Sequence, residues 1–221
     1  MIDLSKYRIV DLNYELIPGE RKVDGRYFFG QPLAGRALEV QEYFGWGARM
    51  HTVQGHTHMG THVEAPYKYL DEGTDLGAMP IEKYMGEAVV CDFSHKGRHE
   101  PIAIEDFRKF GIRSGEIVLA WARPETSDAP PYITPAAIDW LIETRIKMLG
   151  LEDIGYALPG VEPGDKNSAD HKCLVNGIVM IDFLHGLRQI TKPRVFFMAL
   201  PLRMRRVTAS PTRAIALEEI D

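Results

Sequence analysis

Histidines are concentrated in one short stretch of the sequence. Four of the eight histidines fall between His51 and His62, and Glu64 follows two residues later. Imidazole nitrogens and carboxylate oxygens are ligands that zinc, manganese and iron accept in proteins. His58, His62 and Glu64 therefore predict a divalent-metal site, although a histidine-rich loop is also found without any bound ion.

The spacing of these residues indicates the backbone that must hold them. Gly60 and Pro66 disfavour a helix here, whereas in an extended chain alternate residues share one face. Five candidate side chains fall on that face: His56, His58, His62, Glu64 and Lys68. Full extension would separate the Cα atoms of His58 and His62 by about 13–14 Å, near the limit for two imidazoles that meet one ion at about 2.1 Å. We therefore predict a bend or bulge near Gly60, because glycine tolerates one most readily.

Short apolar runs bounded by turn residues predict the strands that must support this stretch. Alternation over residues 10–16 predicts a half-buried strand, and alternation over 214–218 predicts another. Further strands are predicted at 88–93, 117–122, 154–158, 178–182 and 195–200.

Three segments predict helices. Residues 104–110 precede Gly111, and residues 135–149 have Thr134 as an N-cap and Gly150 after their end. A third helix is predicted from the N-cap Ser168 to Asn176. The mixture predicts one α/β domain over residues 1–221, in which strands outnumber helices.

Residues 18–47 lack a clear period and predict a long loop or short hairpin pieces. This segment and its surroundings carry several aromatic residues: Tyr27, Phe28, Phe29, Tyr43, Phe44 and Trp46. They could wall a pocket for a flat substrate, or they could simply pack the loop on the core. The sequence does not distinguish the two.

Composition limits the classes of partner. The net charge is -5, and the absence of a long basic cluster argues against nucleic acid. No apolar run reaches the roughly 18 residues that a membrane helix needs, and the N-terminus lacks a signal-peptide pattern, so we expect a cytoplasmic protein. Cys91 and Cys173 lie in apolar contexts and predict buried thiols.

Residues 58–66, His-Met-Gly-Thr-His-Val-Glu-Ala-Pro, resemble the signature of the cyclase family of metal-dependent hydrolases. This family includes bacterial kynurenine formamidase and isatin hydrolase, and its pattern is His-x-Gly-Thr-His-x-Asp-x-Pro-x-His. The similarity extends over nearly the whole chain, through residues 10–12, 86–90, 117–122, 169–174, 199–202 and 211–216.

The resemblance implies a ligand set and a fold. The family's first motif supplies two His and one carboxylate to the metal, which correspond to His58, His62 and Glu64. A later His and Glu of the family match His171 and Asp182. The implied cofactor is a divalent ion, Zn or Mn, and charge counting favours one ion. The implied fold is a swivelling β/β/α domain, rich in strands with outer helices, and family members usually form homodimers or homotetramers. From its own composition, the segment 18–47 is a candidate for subunit contacts, because it is rich in aromatic residues and lacks a self-contained core.

Three positions depart from the family pattern. Glu64 replaces an Asp and Asp182 replaces a Glu, so the two changes in side-chain length are opposite. Lys68 replaces the last His of the motif, which is catalytic in the formamidases. Lys68 would transfer protons near neutral pH only if its pKa fell well below about 10.4; alternatively, its charge would hold an anionic substrate or a developing oxyanion. His56 could take over proton transfer, or it could be an exposed histidine.

By resemblance, the expected activity is hydrolysis of an amide, a formamide, or a cyclic amide or lactone in a small molecule. The alternative is a degenerate family member that binds a metal and a small ligand without turnover, which the loss of the motif's last His favours. Another chemistry on the same scaffold, such as cyclisation or dehydration, is a third possibility because a fold alone does not decide function.

Overall fold

The computed structural model describes residues 3–20, 22–23, 26–27, 38–123, 125, 128–161 and 164–220. Strands provide most of the regular structure in these ranges: β1 (Tyr7–Asp11), β2 (Lys22–Val23), β3 (Arg26–Tyr27), β4 (Glu39–Gly45), β5 (Ala48–Gln54), β6 (His62–Glu64), β7 (Met85–Asp92), β8 (Pro101–Ile102), β9 (Ile117–Trp121), β10 (Tyr132–Ile133), β11 (Met148–Glu152), β12 (Val179–Asp182), β13 (Arg194–Pro201) and β14 (Ala209–Glu219). The helices are α1 (Ile104–Arg108), α2 (Pro135–Thr144) and α3 (Ala169–Val175). None of the helices described is both long and apolar enough to cross a bilayer.

The main sheet closes on itself. Its strand order is β1-β14-β13-β7-β9-β11-β12-β6, and β14 also pairs with β6. The long β14 makes this closure possible, because residues 212–217 pair with β13 while residues 209–211 pair with β6. The result is a barrel-like ring in which β7, β9, β11 and β12 run parallel to one another, whereas β13 is antiparallel to β7 and β6 is antiparallel to β12.

Both faces of the central strands are buried. On β9, Ile117 and Leu119 belong to the core inside the ring, whereas Val118 and Ala120 belong to a second core. Phe107 of α1, Leu141 of α2 and Leu174 of α3, among others, cover this second core from outside. Burial on both faces explains why these strands are continuous apolar runs without alternation. The arrangement confirms the predicted β-rich α/β fold with outer helices.

One predicted helix end and one predicted strand were wrong, for the same reason. The helix predicted over 135–149 ends at Thr144, because Arg145 adopts a left-handed conformation with φ 61° and donates its backbone N–H to Ile142. The apolar residues that follow form β11 instead, and the strand predicted at 154–158 is absent, with only an isolated bridge at Gly155. A short buried strand and a buried helix turn have the same apolar pattern, which explains the error.

The remaining expectations hold with shifted ends. The strand predicted at 10–16 lies earlier, at Tyr7–Asp11, although Leu12 is also fully buried. The helix after the N-cap Ser168 begins as predicted and ends at Val175, with Asn176 as its C-cap. Cys91 and Cys173 are free and buried, as predicted.

Candidate metal centre

The short strand β6 positions the central residues of the site. β6 lies between β12 and β14, so that Asp182 is directly opposite His62 on one side and Pro211 is opposite it on the other. Residues directly opposite on antiparallel strands have Cβ atoms about 5 Å apart. Strand pairing therefore brings Asp182, which is distant in sequence, next to the histidine motif.

A tight bend brings His58 back toward β6. Gly60 has a left-handed backbone with φ 55°, a conformation that favours glycine. The ring centroids of His58 and His62 are consequently only 5.1 Å apart. The bend predicted near Gly60 is confirmed.

The candidate metal cluster, three residues that could hold an ion, consists of His58, His62 and Glu64. One ligand atom from each lies within 4.8 Å of the others. Glu64 Oε1 is 2.6 Å from His58 Nδ1 and 3.5 Å from His62 Nε2. Asp182 Oδ2 is 3.8 Å from His62 Nε2. The three clustered side chains, with Asp182 beside His62, offer the mixed nitrogen and oxygen ligands that suit a divalent ion.

The hydrogen bonds of His62 fit a metal ligand. Its Nδ1 lies 2.8 Å from the carbonyl oxygen of Gly60, and a carbonyl can only accept, so Nδ1 donates. In the neutral ring Nε2 then carries a lone pair, and this atom is buried with no hydrogen-bond partner in the described structure. Asp182 Oδ1 is also buried without such a partner. Buried polar atoms are normally satisfied, so this pair marks where a cation would bind.

The pKa shifts of two pocket residues also indicate a site for a cation. Burial, together with the nearby Glu64 carboxylate, raises the pKa of Asp182 to about 7. Burial lowers the pKa of His62, but Glu64 and Asp182 outweigh it and raise the value overall. Both shifts mean that the carboxylates lack sufficient positive charge around them, which a divalent ion would supply.

Lys68 lies against the same carboxylates. Its Nζ is 2.9 Å from Glu64 Oε1, 2.7 Å from Glu64 Oε2 and 3.2 Å from Asp170 Oδ2. Burial lowers the pKa of Lys68, but the carboxylates of Glu64, Asp182 and Asp170 outweigh it and raise the value well above normal. The ammonium form is therefore favoured at neutral pH.

The other two candidate residues lie beside the cluster. His56 Nδ1 accepts a hydrogen bond of 3.1 Å from the backbone N–H of His58. His171 is outside the group of ligand atoms just described; its ring lies 4.6 Å from that of Tyr69, centroid to centroid. The Nδ1 atom of His171 is buried and has no hydrogen-bond partner among the described residues.

Sequence reasoning missed several residues of the pocket. Asp170 is buried in the first turn of α3 and contacts Lys68 and the Tyr69 hydroxyl. Burial, together with the Asp182 and Glu64 carboxylates, raises the pKa of Tyr156 well above its usual value, and Thr208 Oγ1 is 3.0 Å from His58 Nε2. Asp170 adjoins the predicted ligand His171 in sequence, but which of the two faces Lys68 depends on how α3 packs; Tyr156 and Thr208 have no signal in a single sequence.

The aromatic residues before the motif belong to a hairpin. Strands β4 and β5 pair over their whole length, and this long hairpin occupies part of the segment predicted as a loop or short hairpin pieces. Tyr43, Phe44 and Trp46 are exposed, Trp46 to 94%. The interpretation that they pack on the core of this chain is therefore wrong. Phe28, Phe29 and the side chain of Tyr27 lie outside the described residues.

Comparison with known proteins finds relatives that are named kynurenine formamidase. A kynurenine formamidase of Erythrobacter litoralis (strain HTCC2594) is 27% identical over 220 residues, which cover 97% of this chain and 95% of that protein. A kynurenine formamidase of Bacillus thuringiensis (strain Al Hakam) is 26% identical over 165 residues, covering 72% of this chain and 75% of that protein.

Solved structures share the fold. Isatin hydrolase A from Labrenzia aggregata, bound to benzyl benzoate, aligns with a TM-score of 0.78 at 24% identity and covers 98% of this chain and 95% of that one. An isatin hydrolase bound to the product analogue thioisatinate aligns with a TM-score of 0.78 at 18% identity and covers 98% of this chain and 94% of that one.

The family model described as "Putative cyclase" matches residues 10–157, a range that includes His58, His62 and Glu64. Because this match spans more than half of the sequence, the chain belongs to the cyclase family.

Proposed function

We propose that the protein is a divalent-metal-dependent hydrolase that cleaves an amide, a formamide, or a cyclic amide or lactone of a small molecule. The observation that carries the proposal is the buried His62 Nε2, unpartnered and aimed at the carboxylates of Glu64 and Asp182. Relatives named kynurenine formamidase support an amide-cleaving activity.

His58, His62, Glu64 and Asp182 would hold the ion. His171 remains a proposed ligand on the strength of its buried Nδ1. Imidazole and carboxylate donors suit both Zn and Mn, so we propose one of these two metals. When bound, the ion would polarise a carbonyl and lower the pKa of water from about 15.7 to about 7.

The surrounding residues would manage charge and protons. The Lys68 ammonium would stabilise an anionic substrate or the negative charge that develops on a carbonyl oxygen, because its raised pKa opposes the release of a proton. His56 adjoins His58, and we propose it as the proton carrier in place of the motif's last His.

A degenerate binder is the second candidate. The replacement of the motif's last His by Lys68, whose proton is held firmly by Glu64 and Asp170, favours it. Such a protein would bind a metal and a small ligand in the same pocket, and would release no product.

A substrate panel distinguishes the two. N-formyl aromatic amines, cyclic imides, lactams and lactones would be incubated with the protein and added Zn or Mn, and product would be followed by absorbance. We expect turnover that falls at least a hundredfold in Glu64→Ala and is unchanged in the control Glu72→Ala, which alters an exposed acid. Saturable binding of a panel compound without product would support the binder. If a His58→Ala, His62→Ala double variant kept both binding and turnover, the metal centre would be refuted.

A further inference from the structure

Three buried carboxylates lie within or beside the candidate metal cluster. Glu64 is 1% exposed, Asp170 is 5% exposed and Asp182 is 7% exposed. Like charges so close together in a buried pocket require cations among them. The chain supplies one cation itself, since Lys68 lies between Glu64 and Asp170.

The Lys68 ammonium occupies a position suited to coordination. Its Nζ contacts both oxygens of Glu64, at 2.9 and 2.7 Å, and Oδ2 of Asp170, at 3.2 Å. Three oxygens from two acidic residues thus converge on one nitrogen. Carboxylates arranged in this way around a point also bind divalent ions, at somewhat shorter distances of about 2.0–2.6 Å.

The balance of charge in the pocket agrees with Lys68 occupying the place of a second cation. Fully ionised, the three carboxylates would carry a total charge of −3, and the Lys68 ammonium would reduce it to −2, which equals the charge that one divalent ion neutralises. Without the ammonium, the pocket would keep a negative charge after the first ion had bound. His62 Nε2 and Asp182 Oδ1 have no hydrogen-bond partner among the described residues and remain available for that first ion.

We propose that Lys68 acts as a built-in second cation: its ammonium fills the place between Glu64 and Asp170, so the protein binds one divalent ion and not two. This inference rests on the proposed metal centre and specifies its stoichiometry. It follows that removing the ammonium opens a second divalent-ion site whose ligands are Glu64 and Asp170.

The test measures bound metal, not activity. The full chain is equilibrated with excess MnCl2 or ZnCl2, and the ions bound per chain are counted by elemental analysis and by calorimetric titration. We expect one ion in the natural chain, two in Lys68→Met, and one again in Lys68→Met combined with Asp170→Asn. Lys68→Arg keeps the charge and should bind one ion. Lys109→Met is the matched control, because Lys109 also pairs with an aspartate, Asp106 at 3.2 Å, on an exposed surface.

The outcomes separate the two proposals. If the natural chain binds no ion, the metal centre itself is wrong, and this inference is wrong with it. If the natural chain binds one ion and a folded Lys68→Met also binds one, only the present inference is refuted. Electron paramagnetic resonance of the Mn-loaded natural chain is a further check that needs no variant: a spin-coupled pair of ions would overturn the inference even if Lys68→Met and a second variant, Lys68→Gln, failed to fold.

Discussion

At the scale of single residues, the site depends on how His62 is held. Its Nδ1 donates to the carbonyl of Gly60, which fixes the ring so that Nε2 faces Glu64 and Asp182. Such partners of a metal-binding histidine orient the ring and raise its basicity. The left-handed Gly60 therefore has two roles, since it both turns the chain and presents the carbonyl that orients the ligand.

Substitution of Gly60 tests this role. A Cβ atom at Gly60 would lie 2.7 Å from Leu16 Cδ2, and the backbone has φ 55°. We expect Gly60→Ala to lower the free energy of unfolding by about 1–2 kcal/mol and to weaken metal binding about tenfold. Gly111→Ala is the matched control, because Gly111 has φ 60° and open space around it. Equal metal affinities in the two variants, measured by calorimetry, would mean that Gly60 has no part in orienting His62.

Residue types predict part of this site and not the rest. His58, His62 and Glu64 are close in sequence, so their grouping follows from local spacing alone. Asp170 and His171 are neighbours on α3, and the helix phase that turns Asp170 toward Lys68 depends on how the helix packs. Tyr156 and Thr208 reach the pocket through long-range packing, which leaves no mark in their local sequence.

At the scale of elements, the pairing of β6 with β12 and β14 builds the site. Its three residues are all buried, and the bend before it would have no fixed direction without these neighbours. The sequence predicted β12 and the second half of β14 from their apolar pattern. β6, in contrast, lies inside the histidine motif, where polar residues interrupt the hydrophobic alternation.

Glu218 on β14 ties the loop before β13 to the closed sheet. Its Oε1 accepts hydrogen bonds from the backbone N–H groups of Thr191 and Lys192, at 2.6 and 2.7 Å, and Oε2 accepts from Arg8 Nε at 2.7 Å. Glu218 is 3% exposed. Burial alone would raise its pKa, but these donors lower the pKa of Glu218 to about 2.

We therefore expect Glu218→Gln to reduce the free energy of unfolding at pH 7 by roughly 1–3 kcal/mol. Because the folded-state pKa is depressed below the unfolded value of about 4.3, the charge-dependent stabilisation is complete above that value. It is lost as pH falls toward 2. Urea titrations at pH 7 and pH 3 should show the difference from the natural chain narrowing at the lower pH. Glu219→Gln, the exposed neighbour, should change little at either pH; a loss as large as that of Glu218→Gln would contradict the assignment.

At the scale of the whole molecule, ring closure explains why distant segments share one pocket. β6 and β14 are separated by more than 140 residues, and no local pattern specifies that they pair. The β-rich α/β class was predictable from the short apolar runs, because buried strands and amphipathic helices have distinct periods. The order of strands around the ring was not.

The β4–β5 hairpin suggests how copies of the chain meet. Its main contacts are between its own two strands, and a lone two-stranded hairpin is at best marginally stable in water. Phe44 is 75% exposed and Trp46 is 94% exposed. We therefore expect a second copy of the chain to cover this hairpin in a homo-oligomer, as the segment's aromatic composition had led us to predict.

Light scattering after size-exclusion chromatography checks this expectation. Phe44→Ser combined with Trp46→Ser should shift the protein to a smaller species at micromolar concentration. Leu4→Ser combined with Ile9→Ser, which alters apolar side chains exposed to 56% and 54% away from the hairpin, should leave the mass unchanged. A natural chain that is monomeric, or a mass unaffected by the hairpin variant, would show that the hairpin is not a subunit contact.

The most direct test of the metal centre is anomalous diffraction from crystals of the protein equilibrated with Mn or Zn. We predict one strong anomalous peak per chain, within bonding distance of His62 Nε2 and of the carboxylates of Glu64 and Asp182. A fully ordered pocket with no peak at that position, or with the bound ion held elsewhere, would contradict the account.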